Sequence, residues 1–125
     1  MDKLFIPGSP DTAEITIDAS LGVFEISGKS LPEDAIVYFT PVDRYLEEYV
    51  KQPAQVTTVN MHLTYLNSSS AKKLVDLVTQ LETIAAKGYK VEVNWYYGED
   101  DEEMLEEGQE FARLTSLPVN LEIES

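Results

Sequence analysis

Tyr65-Leu66-Asn67-Ser68-Ser69-Ser70 joins two segments of different period. Before it, Val56 to Tyr65 alternates as a strand does, with Val59, Met61, Leu63 and Tyr65 on one face and Asn60, His62 and Thr64 on the other. After it, residues 68–87 carry Ala71, Leu74, Val75, Val78, Leu81 and Ala85 at helical spacing, supplemented by Leu77 and Ile84. Lys72, Lys73, Asp76, Gln80 and Lys87 face away, and Gly88 is a natural stop. Three serines therefore fall where a strand ends and a helix begins.

That position has its own chemistry. The first turn of a helix holds backbone N–H groups without intrahelical acceptors, and the macrodipole adds partial positive charge there. Asn67 is a good N-cap, which makes Ser68 the first helical residue. A phosphate on that hydroxyl would meet donors already in place. Ser and Asn also collect at helix starts for stability alone, and from these residues by themselves plain capping is the simpler account.

Working outward, residues 1–13 are rich in Pro, Gly, Ser and Asp and read as an extended arm. Strands are expected at about 14–19 and 23–28, joined through Ala19-Ser20-Leu21-Gly22 as a hairpin. Ser30-Leu31-Pro32-Glu33 matches a capping box, so a helix is expected over 31–52, with Pro41 as a kink or break. On the far side, Lys90 to Tyr97 alternates as a fourth strand. A third helix over 101–115 places Met104, Leu105, Phe111, Ala112 and Leu114 inward, and Gly108 within it implies close packing. Val119, Leu121 and Ile123 make a last strand.

The order is β-β-α-β-α-β-α-β, an α/β domain spanning 1–125 with a mixed, mostly parallel sheet. Fully buried parallel strands would be apolar throughout. The polar residues in strands three and four therefore set the helices mainly on one face and leave the other partly wet.

Composition narrows the function. The formal charge of −14, from 23 acidic and 9 basic residues, repels nucleic acid and anionic lipid and favours basic protein surfaces. There is no cysteine, no apolar run of membrane-spanning length and no signal-peptide pattern, so a cytoplasmic protein is expected. His62, the single histidine, reads as structural, and no zinc set surrounds it. The carboxylates of Glu99 to Glu107 lack an EF-hand pattern, and neither a glycine-rich phosphate loop nor a G-x-S-x-G elbow is present. Nothing here supports catalysis or a cofactor. Trp95, Tyr96 and Tyr97 are expected to pack at the core and its rim.

Several of these segments together resemble the SiaC-type family of small bacterial regulators. They are Ile6-Pro7-Gly8, Leu31-Pro32-Glu33-Asp34, Leu63-Thr64-Tyr65-Leu66-Asn67-Ser68-Ser69-Ser70, and Trp95-Tyr96-Tyr97 with its acidic follow-on. The resemblance implies a STAS-like fold, similar to anti-sigma-factor antagonists, in which a Ser or Thr at a helix start is phosphorylated. In the family that residue follows the Asn, which makes it Ser68, with Ser69 and Ser70 as alternatives. The implied partners are a serine/threonine kinase, a PP2C-type phosphatase and a diguanylate cyclase. The unphosphorylated form would bind and activate the cyclase, raising cyclic di-GMP and promoting biofilm formation. An anti-sigma-factor antagonist acting on an anti-sigma kinase is the alternative. Tyr65, Asn67 and Ser69 are the nearest candidates for the partner interface, by adjacency.

Overall fold

The computed structural model describes residues 1–124. Six strands form one sheet: β1 (Leu4–Ile6), β2 (Glu14–Asp18), β3 (Val23–Ser30), β4 (Val56–Leu66), β5 (Lys90–Gly98) and β6 (Val119–Glu124). They lie side by side in chain order. The first three pair antiparallel, and β3 to β6 pair parallel. The helices α1 (Ala35–Tyr49), α2 (Ser68–Ala85) and α3 (Glu102–Arg113) make the three crossovers. Each crossover advances one place in the same direction, so a uniform right hand puts all three helices on one face.

That face carries the core. Ile15, Ile17, Phe24, Ile26, Val59, Met61, Val93 and Trp95 from the sheet are buried, together with Phe39, Leu46, Tyr49, Leu74, Leu81 and Phe111 from the helices. Phe24 meets Tyr49 edge-on at 5.3 Å. The opposite face is polar. Asn60 Nδ2 donates to Glu25, Asn94 Nδ2 to Asn60 Oδ1 and Asn120 Nδ2 to Asn94 Oδ1, each at 2.9 Å. This ladder satisfies the half-buried amides of Asn60 and Asn94 on an uncovered sheet. The alternation read in strands three and four is thus the signature of a one-sided sheet.

The N-terminal arm is more ordered than its composition implies. Leu4, Phe5 and Ile6 pair with Ile17, Thr16 and Ile15, closing what would otherwise be a bare edge on β2. Tyr45 of α1 holds the arm down, donating to the Asp2 carbonyl at 2.8 Å and accepting from Ala19 N at 3.2 Å. Residues 7–13 keep their turn character, with Ser9 Oγ accepting from Thr12 N.

The Ser30–Glu33 capping box does not form. β3 runs on to Ser30, which is fully buried and paired with Leu66 of β4. The cap of α1 is Asp34, whose carboxylate accepts from Val37 N at 3.1 Å. A residue held in a parallel ladder cannot also turn its side chain onto a helix start four residues later. α1 runs through Pro41 without a break, and Pro41 lies on its exposed side, away from Phe39, Val42 and Leu46.

Two placements are overturned: Tyr65 on the face of Val59, Met61 and Leu63, and Leu114 inward. Pairing along β3 and β4 passes from Gly28↔Leu63 to Lys29↔Tyr65, so Thr64 is an unmatched bulge residue. A single extra residue reverses the alternation. Tyr65 is therefore exposed (55%), while Leu66 turns toward the core. Leu114 is also exposed (55%), because α3 ends at Arg113 and Leu114 is its C-cap. Gly108 answers as expected: a Cβ there would lie 2.6 Å from Trp95 Cδ1 and 2.8 Å from Leu121 Cδ2. The glycine lets Trp95 slide under α3 and donate its indole N–H to the Met104 carbonyl at 3.0 Å.

Candidate functional site

The junction of β4 and α2 is built by Asn67. Its backbone is extended (φ −87°, ψ 166°), and its Oδ1 accepts from Ser70 N at 2.9 Å. Its own N–H bonds the Ser30 carbonyl at 3.1 Å, and its Nδ2 reaches the Pro32 carbonyl at 3.4 Å. One side chain thus caps α2 and ties its start to the segment leading into α1. The cap takes the third amide of the turn and leaves those of Ser68 and Ser69 without an intrahelical acceptor.

The three serines differ sharply in environment. Ser70 is fully buried, and its hydroxyl accepts from Ser30 Oγ at 2.9 Å. A kinase cannot reach it without opening the fold. Ser69 is exposed, with its hydroxyl donating to Asn67 Oδ1 at 3.2 Å. Ser68 is exposed and opens the helix. Of the residues named from the sequence, Tyr65, Ser68 and Ser69 present surface, Asn67 is half-buried and Ser70 is core.

Sequence reasoning missed what lies beside this junction. Ala71 and Val75 were read as core, yet both are only half-buried, because the buried stripe of α2 is centred on Ser70, Leu74, Leu77, Val78, Leu81 and Ile84. With Leu66, Phe111 and Leu114 they line an apolar groove of about 270 Å³ between α2 and α3. A second hollow of about 250 Å³ adjoins it, sharing Leu66 and Glu107 and bordered by Tyr65, Asp101 and Glu103. The unusual width of the apolar stripe on α2 was the available signal.

His62 lies on the open sheet face, apart from this groove. Its ring stacks on Tyr96 at 4.2 Å and 7°, and it sits between Glu124 at 2.5 Å and Glu25 at 3.5 Å. The described residues contain no group of three His, Cys, Asp or Glu side chains placed to hold a metal ion, and no helix among them is long and apolar enough to cross a membrane.

Comparison with known proteins places this geometry. A curated protein of Pseudomonas aeruginosa strain UCBPP-PA14, itself uncharacterized, is 30% identical over 118 residues, 94% of each chain. The crystal structure of diguanylate cyclase SiaD in complex with its activator SiaC from P. aeruginosa contains a chain that superposes with a TM-score of 0.89 at 30% identity, over 97% of this chain and 99% of that one. A structure of SiaC from the same organism gives 0.89 at 28% identity, over 99% and 100%. Apo-SiaC gives 0.87 at 30%, over 98% and 99%. The family model described as SiaC family regulatory phosphoprotein matches residues 6–124, and the chain belongs to that family.

Proposed function

We propose that this protein is a phosphorylation-switched regulator that, unphosphorylated, binds and activates a diguanylate cyclase, thereby raising cyclic di-GMP and promoting biofilm formation. A serine/threonine kinase adds the phosphate at Ser68, and a PP2C-type phosphatase removes it, in the cytoplasm. The protein acts by binding and performs no chemistry of its own. The observation that carries this reading is the exposed Ser68 as first residue of α2, in a chain whose whole length resembles SiaC, the activator found in complex with SiaD.

The physics of the switch is local. Phosphorylation adds about −1.5 to −2 charges at pH 7. The first turn of α2 offers free amides and a favourable dipole, so the fold accepts the dianion. A docked partner must bury it or withdraw, and burying an unpaired phosphate is costly.

Incubation with the kinase of the same organism, followed by mass spectrometry, should label Ser68. Ser68→Ala should bind the cyclase constitutively, and Ser68→Asp should weaken binding about tenfold or more, the loss of ~1.4 kcal/mol. Label on Ser69 alone would move the switch by one residue. Full cyclase activation by the phosphorylated protein would sink the reading.

A further inference from the structure

We infer that this protein pairs with a second copy of itself through the outer edge of β6, antiparallel about a two-fold axis at Leu121. The pairing goes beyond the switch at Ser68 and stands without it.

Three observations carry it. First, β6 ends the sheet, and among the described residues no strand pairs with its outer side. Val93 N donates to the Pro118 carbonyl at 3.0 Å, in a register that sets Val93 opposite Val119. In a parallel ladder the even-numbered residues of β6 therefore bond β5, and Val119, Leu121 and Ile123 turn their N–H and C=O outward. The other margin of the sheet, β1, is only 3 residues long, whereas β6 offers 6.

Second, the flank above this edge is uncharged. Gly108 of α3 faces Trp95 and Leu121, and Glu107, Glu110, Phe111 and Leu114 line the side toward α2. By helical phase Leu105, Gln109 and Ala112 take the opposite side, over β6. Leu105 and Ala112 are half-buried, and Ile123, on the same face of the sheet as Leu121, is exposed. α3 also packs on β4, so it leans inward and leaves the edge clear.

Third, one register suits both faces. Antiparallel pairs built from the outward groups join odd residues to odd. With Leu121 opposite itself, Val119 meets Ile123, and these pairs together exchange about six hydrogen bonds. Their apolar side chains all fall on the helix face. On the open face Asn120 stands opposite Glu122 of the second copy, and Glu124 opposite Pro118. The Asn120 amide donates one hydrogen to Asn94 and has another to give, which the glutamate accepts. The ladder that begins at Glu25 thus crosses into the second copy. A slide toward the C-terminus would set Glu122 against Glu122, and a slide the other way leaves Ile123 opposite Leu117, outside the strand. The glutamates reject those pairings and accept this one. Each copy carries a formal charge of −14, so the copies repel at long range and salt strengthens their pairing.

Sedimentation equilibrium of the full chain, at rising concentration and in low and high sodium chloride, should show monomer and dimer exchanging, with salt driving dimer. A chain that stays monomeric up to millimolar concentration in high salt overturns the pairing. Ile123→Pro removes an outward N–H and no bond to β5. It should keep native circular dichroism and melting yet weaken dimerisation at least tenfold. Asn120→Asp should weaken it as well, and Glu122→Gln should strengthen it. An Ile123→Pro protein that dimerises as the native chain does overturns the edge. The chain has no cysteine, so single cysteines report the register. Asn120→Cys mixed with Glu122→Cys should form a disulfide-linked heterodimer faster than either forms a homodimer, and equal rates overturn the register. Ser68→Asp should dimerise unchanged, because α2 follows β4, two strands in from the edge. Loss of the dimer in that variant would move the contact to α2 and overturn the proposal, whereas a dimer that binds no cyclase supports it and overturns only the regulatory reading.

Discussion

Ser30 and Ser70 share a hydrogen bond in the interior, 40 positions apart in sequence, at the point where β3, β4 and α2 meet. Either serine changed alone to alanine strands the other hydroxyl away from water, at about 1–3 kcal/mol. Changing both removes the need for the bond. Urea denaturation of Ser30→Ala, Ser70→Ala and the double variant should therefore give a double loss clearly smaller than the sum. Additive losses would mean that the pair does not interact. The same burial separates three adjacent, chemically identical residues into one that holds the fold and two that a kinase can reach. Part of this was readable. Ser70 precedes Leu74, Leu77 and Leu81 at helical spacing, so its inward phase was written in the sequence. Ser30 was not readable, because its spacing to Glu33 imitates a capping box while β3 claims it first.

At the scale of elements, α3 comes close to both β5 and β6 at one residue, Gly108. Gly108 admits the Trp95 ring, and Phe111 packs on that ring at 5.1 Å. Gly108→Ala improves helix propensity by about 0.8–1.0 kcal/mol but drives a methyl group into Trp95, and overpacking costs about 1–3 kcal/mol. The overlap at 2.6 Å involves a buried indole held by Met104, so the clash wins. We expect a net loss of stability with a changed Trp95 emission; a stabilised variant would show that the ring can move aside. The glycine was legible as a packing site because its cost in mid-helix demands a reason. The bulge at Thr64 was not. Val59, Met61, Leu63 and Tyr65 alternate without interruption, and periodicity alone cannot reveal a register shift imposed by the neighbouring strand. A glycine within the strand pattern, Gly28, was the hint in the sequence; it lies opposite Leu63 with φ 101°.

At the scale of the whole molecule, one carboxylate ties the later crossovers together. Glu82 of α2 accepts from Ser116 N at 2.7 Å and from the hydroxyls of Thr115 and Ser116 at 2.9 Å, all in the link between α3 and β6. The Ser116 amide and then these hydroxyls hold its pKa below the ordinary glutamate value. A depressed folded pKa means that this stabilisation is complete above the unfolded pKa, about 4.3, and is lost as pH falls through the folded one. Thermal melts of Glu82→Gln should fall below the native protein at pH 7, with the gap closing below about pH 4. A constant gap would mean that the carboxylate's charge is immaterial. Much of the global plan was legible, since three strand–helix alternations and a half-polar sheet leave few topologies. The groove was not, because whether an apolar side chain is covered depends on how closely two distant helices approach.

The arrangement of strands in chain order has a consequence for biosynthesis. No strand has to be threaded between two others already in place. As the nascent chain leaves the ribosome, each new strand finds the exposed margin of a finished sheet, and the helix just made lies over the seam. Assembly can thus proceed from the N-terminus by successive addition, with few long loops to close. The last strand, β6, completes the domain only after the other five are in position.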